Sequence, residues 1–256
     1  MQHVSESENI RGLNFLPEEA FILGLLRSAF GRANNGDSIT LPAGSTIKWH
    51  NVFETALNWN IAPMLYPLIK DRSSLLNVSD IPVDVFKGIE AAYVKTYMVN
   101  QSNFSELADI VKALSAADIQ VLLLKGAHLA PFVYQDIGMR WMSDIDILIR
   151  REDLPKANEL LLGMGYAYPD MEAAVWDDLG KRKEVGDKAA VIDWYKSDHM
   201  HLNYFNPRGI RNLELHWGIA RSASPFAIDM EGLWERAWRE NLNGTTVRVL
   251  SPEDLL

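Results

Sequence analysis

A chain of 256 residues with 48% hydrophobic side chains can bury a substantial core, as one large folded unit or two smaller ones. Its 25 Lys and Arg against 34 Asp and Glu leave a net charge of −9 with no basic cluster, which sets aside nucleic acid as a partner, because that binding needs phosphates neutralised by Lys and Arg. The absence of cysteine removes disulfides, thiolate metal sites and thiol nucleophiles, and no stretch nears the roughly 20 apolar residues of a membrane span or the pattern of a secretion signal, so no membrane partner and a cytoplasmic location are expected.

The N-terminal region, 1–118, reads as helical. In "LPEEAFILGLLRSAFGR", Pro17 with Glu18 and Glu19 suits a first turn and Gly31 a stop, predicting a helix from about 17 to 30. "RANNGDSITLPAGST" is a loop, after which Val52, Phe53, Ala56 and Leu57 share one helical face. From Pro82 to Ala117 only Gly88 interrupts the pattern, predicting one or two long helices, about 50 Å if unbroken.

At Ile119 the pattern changes. "IQVLLL" is a β run, "KGAHLAPFVY" a turn and short helix, and "SDIDILI" a second strand. Glu152 to Leu162 has helical spacing and is stopped by Gly163 and Gly165. The charged stretch 172–190 reads as an insertion, and "HMHLNYF" and "NLELHWGI" as an antiparallel pair around the turn signal "NPRG". Residues 119–220 thus form a mixed unit and the fold class is α+β. In 221–256, "TTVRV" is a strand, and Ser251 as N-cap with Pro252 and acidic Glu253 and Asp254 announces a helix at which the chain stops. Truncation at the start of a further helix is expected.

Asp144 and Asp146 carry the chemical signal. Strand residues two apart share a face, so these carboxylates stand together while Ile145, Ile147 and Ile149 pack on the other side. Their repulsion is relieved by a proton or a divalent cation, and hard oxygen ligands suit Mg²⁺ or Mn²⁺; two solvated aspartates at a strand end are the alternative. "NLELHW" repeats the design, placing Glu214 and His216 together opposite Leu213, Leu215 and Trp217. Lys125-Gly126 lies between a strand and a short helix, where backbone N–H groups and an ammonium meet phosphates.

The run "LLKGAHLAPFVYQDIGMRWMSDIDILIRREDLPKANELLLGMGY", with "LELHWGI" and "LSPEDLL" further on, resembles the uncharacterised nucleotidyltransferase family of the polymerase-β-like nucleotidyltransferase superfamily. The resemblance covers roughly residues 85 to 256. It implies a minimal nucleotidyltransferase core in which Asp144, Asp146 and Glu214 are the catalytic ligands of Mg²⁺ or Mn²⁺. An NTP would then be the substrate, and a hydroxyl or similar group of a small molecule or protein the acceptor. The superfamily has Gly-Ser at the strand-to-helix turn; here Gly126 stands between Lys125 and Ala127, and Lys125 is the candidate to replace the serine on the phosphates, the alternative being a structural lysine paired with Asp144 or Asp146 when no metal is present.

Around this motif Arg140 reads either as a phosphate clamp or as a surface partner of Asp136, and Ser143 either as a nucleotide contact or as shaping the strand entrance. His201 and His216 read as supporting residues behind the metal ligands or as ordinary half-buried histidines. With His199 they would make a zinc site, the basis of a hydrolase alternative. A non-catalytic nucleotide-binding or regulatory protein on the same fold is the other alternative.

Overall fold

The computed structural model describes residues 15–30, 46–71, 80–167, 200–206, 212–220, 225 and 228–255. The loop at 31–45, the charged stretch 172–190, His199 and the turn residues Pro207 to Gly209 lie outside them. Among the described residues the chain is α+β, with seven helices and a six-stranded mixed sheet. None of these helices is long and apolar enough to cross a membrane. The chain divides into two compact units, residues 1–95 and 96–256.

In the first unit, α1 (Pro17–Phe30), α2 (Trp49–Asn58) and α3 (Ala62–Asp71) precede the start of α4 (Val83–Ala116). The predicted first helix is the observed one, and Glu19 reaches back to accept from the Leu16 N–H at 2.9 Å, satisfying a donor at the helix start. Glu18 is buried and accepts the Lys48 N–H at 3.1 Å, which offsets its loss of water. Phe21, Ile22, Leu25, Val52 and Ala56 form the inner faces, with Phe21 edge-on to Trp49 at 5.2 Å.

The region from Pro82 to Ala117 holds one helix rather than two, the 34-residue α4. It ends where Asp118 adopts φ +59°, with the Ile119 N–H returning to the Leu114 carbonyl at 3.0 Å. In the second unit, Phe104, Leu107, Ile110, Val111 and Leu114 of α4 recur at three- and four-residue spacing and enter the same core as the sheet. The strands are β1 (Leu122–Leu123), β2 (Asp144–Leu148), β3 (His201–Phe205), β4 (Asn212–His216), β5 (Trp238–Leu242) and β6 (Thr245–Val249), in the order β3-β4-β2-β1-β6-β5. β2 pairs parallel with β4 and antiparallel with β1; β3 and β4 are antiparallel, as predicted.

β2 is central and buried on both faces, which accounts for its aliphatic run. Ile145, Ile147 and Ile149 pack with α4 and with Leu154, Ala157 and Leu161 of α6 (Leu154–Gly163). Leu148 joins Leu122, Leu124 and, from α7 (Met230–Arg236), Leu233 and Trp234 on the other face. β1 is shorter than "IQVLLL" suggests, because the chain turns at Leu124 into the single-turn α5 (Lys125–His128) and a π-helical turn, Leu129–Val133. After Ser251 the described residues form a three-residue helical turn, Pro252–Asp254. The Ser251 side chain caps no backbone group; its hydroxyl donates to the Asp254 carboxylate at 2.7 Å, which also takes the Arg236 guanidinium.

Candidate metal and nucleotide site

Parallel pairing of β2 and β4 sets Asp146 directly opposite Glu214, Asp144 opposite Asn212 and Leu148 opposite His216. Alternation along β4 keeps Glu214 and His216 on one side, so Asp146, Glu214 and His216 converge, with ligand atoms all within 4.8 Å of one another. A fourth group comes from the turn that follows β1. The Leu124 N–H donates to the Asp146 carbonyl at 3.1 Å, and Lys125 then turns at φ +43°, a conformation unfavourable for a side chain with a Cβ. That turn delivers its ammonium to 2.6 Å from Asp146 Oδ1 and 3.3 Å from Glu214 Oε2.

Asp146 is 1% exposed, so its charge survives only through its partners: Lys125, and His216 Nε2 at 2.9 Å. His216 Nε2 also lies 3.2 Å from Glu214 Oε2. A ring nitrogen facing two carboxylates must carry a hydrogen, because a lone pair there would be repelled. The opposite nitrogen, Nδ1, is buried with no hydrogen-bond partner among the described residues. The two carboxyls titrate in opposite directions. Burial pushes Asp146 up, but hydrogen bonds from His216 and Lys125 outweigh it and hold the group below the ordinary carboxylate range. Glu214 is pushed above that range by burial and then by the neighbouring Asp146, with Lys125 opposing.

Asp144 stands apart from this trio. It is half-buried at the start of β2 and accepts from the Ser143 hydroxyl at 2.9 Å, while its charge adds to the upward push on Glu214. Gly126 is buried, and a Cβ there would come within 2.6 Å of Met142 Cγ, so its lack of a side chain serves the packing of the "MRWMSD" segment beneath the site. Asp136 accepts from the Gly138 N–H at 2.8 Å, and Arg140 Nε is buried with no hydrogen-bond partner among the described residues. His201 lies across from His216 with ring centroids 5.0 Å apart. With His199 outside the described residues, the three-histidine arrangement has no geometry here.

One residue that sequence reasoning passed over supports the loop leading to Asp144. Asn100 of α4, fully buried, donates its amide N–H groups to the Ile137 carbonyl at 2.6 Å and the Arg140 carbonyl at 2.7 Å. The available signal was an amide on the apolar side of a long helix, where it must find partners.

The fold and these side chains define a class: an α+β protein with carboxylates opposed on adjacent parallel strands and a cation already between them. The chain belongs to the uncharacterised nucleotidyltransferase family, whose model matches residues 45–256, more than half of the chain and well upstream of position 85 where the sequence resemblance begins. Neither a curated protein nor a solved structure matches it. Membership supports a role in nucleotidyl transfer.

Proposed function

We propose that this chain is a divalent-metal-dependent nucleotidyltransferase, with its core in residues 119–220, that moves a nucleotidyl group from an NTP to a hydroxyl or similar group of a small molecule or protein. The observation that carries the reading is the in-register opposition of Asp146 and Glu214, in a member of this family, with a cationic side chain bridging them. Residues that accept an ammonium at 2.6 Å and 3.3 Å fit a small hard cation. Asp146 and Glu214 would hold Mg²⁺ or Mn²⁺, with Asp144 approaching from the strand entrance. Bound there, the metal would supply charge for the phosphates and acidify the attacking hydroxyl.

His216 orients Asp146 through Nε2–H rather than ligating, because ligation through that nitrogen would move its proton to the buried, unpartnered Nδ1. Lys125 holds the carboxylates together when no metal is present and, being half-exposed, is free to swing toward the nucleotide phosphates once a divalent ion takes its place. Ser143, whose hydroxyl donates to Asp144, and Arg140, four residues before Asp144, would contact the nucleotide.

Calorimetric titration with Mg²⁺ and then ATP tests this. Lys125→Ala is expected to tighten Mg²⁺ binding, because a competing cation is gone, and to weaken ATP; Lys125→Arg should weaken ATP less. ATP affinity unchanged in Lys125→Ala would remove the phosphate role. A panel of NTPs incubated with Mg²⁺ or Mn²⁺ and cell extract, with no labelled acceptor under any condition, would favour the non-catalytic alternative.

A further inference from the structure

At the other end of β1 from the carboxylates lies a cleft of about 300 Å³, lined in part by Ser115, Asp118, Gln120, Arg239, Thr246 and Arg248. Arg239 and Arg248 are directly opposed across antiparallel β5 and β6, and neither side chain has an ion-pair or hydrogen-bond partner among the described residues. Opposed residues have Cβ atoms about 5 Å apart, and like charges in such a pair repel. In a chain of net charge −9, two adjacent guanidinium groups with no carboxylate between them are an exception that calls for an anion. Thr246 shares a strand face with Arg248, while Val247 and Val249 turn into the core, so a hydroxyl stands beside the cations.

The geometry points to a second binding site, for a small phosphate monoester bearing hydroxyl groups. Two guanidinium forks match a tetrahedral dianion better than a single carboxylate. Asp118, exposed and lining the same cleft with its backbone at φ +59°, repels a polyanion but accepts from ligand hydroxyls. The site is separate from the proposed nucleotide site: β1 and β6 run parallel with Leu122 opposite Arg248, Gln120 precedes β1, and Lys125 follows it. It needs no metal, and it does not depend on the nucleotidyl transfer reading.

The test is calorimetric titration of the full chain, in chelator, with glucose 6-phosphate, inorganic phosphate and glucose. Glucose 6-phosphate should bind saturably, inorganic phosphate more weakly and glucose not at all. Arg239→Gln and Arg248→Gln should each weaken the phosphate ester by about tenfold or more, while Asp146→Asn leaves it unchanged. In phosphate-free buffer Arg239→Gln should melt slightly above the wild type, since repulsion is relieved, and this also shows that the variant folds. Absence of saturable binding by the wild type, or wild-type affinity retained in both arginine variants, overturns the site. A loss in Asp146→Asn or Lys125→Ala that matches the arginine variants places the anion at the carboxylate site instead and overturns it equally. Inorganic phosphate binding as tightly as the ester removes the role of Asp118.

Discussion

Asp146 and Glu214 face each other with opposite perturbations, and this makes their pH signatures separable. Asp146, held below its unfolded value of about 3.9, contributes stability that is present above that value and is lost as pH falls through the lower folded one. Glu214 is raised, so its contribution is fully present below about pH 4.3 and is lost as pH rises through the folded value. Chemical denaturation of metal-free protein from pH 3 to 7 should therefore show Asp146→Asn costing about 1–3 kcal/mol at neutral pH and progressively less in acid. Glu214→Gln should gain on the wild type as pH rises. Parallel profiles for the two variants would mean that the carboxyls do not titrate as an opposed pair. Gly126 gives a steric counterpart. A Cβ placed 2.6 Å from Met142 Cγ meets the root of that side chain rather than its flexible end, so Gly126→Ala should cost about 1–3 kcal/mol. A double-mutant cycle with Met142→Ala should give less than the sum of the single losses, and strict additivity would show that the two do not touch.

At the scale of the elements, Asn100 ties α4 to the segment that ends at Asp144. Asn100→Leu removes both amide donors and leaves the Ile137 and Arg140 carbonyls short of partners, a loss on the order of 2 kcal/mol. Hydrogen exchange should quicken across 137–143 and ATP affinity should fall, whereas unchanged exchange there would show that the loop is held by other contacts. The alternation in "SDIDILI" and "NLELHW" made it legible that Asp144 and Asp146 share a face and that Glu214 accompanies His216. The parallel register that puts Asp146, not Asp144, across from Glu214 was not legible, because pairing between distant strands leaves no mark in either strand alone. Lys125 was legible as a cation beside a turn, for phosphates or for pairing with Asp144 or Asp146; that Asp146 is the partner depends on the positive φ, which no local residue pattern announces. β5 escaped for a different reason. "WRENL" is an edge strand with mostly polar, exposed positions and little periodicity, and its signal was the Asn243-Gly244 turn, with both φ values positive, before "TTVRV".

For the whole molecule, the net charge of −9 means that any cation stabilises the chain somewhat by screening, so a rise in melting temperature with Mg²⁺ is not by itself a sign of a site. The proposed ligands all lie in the second unit, 96–256, so site-bound Mg²⁺ acts on the unfolding of that unit. An ion that binds only the native state adds about 2.7 kcal/mol at 100 times its dissociation constant, which in a domain of this size corresponds to a shift of roughly 5–10 °C. The net gain should be smaller than for a bare carboxylate pair, because Mg²⁺ must first displace the Lys125 ammonium from Asp146 and Glu214. The wild type should therefore show a saturable rise with Mg²⁺ beyond that of NaCl at equal ionic strength, Lys125→Ala should reach its plateau at lower Mg²⁺, and Asp146→Asn should show only the NaCl-like component. The same saturable rise in Asp146→Asn would place the ion away from β2 and remove the ground for metal-assisted transfer at this sheet.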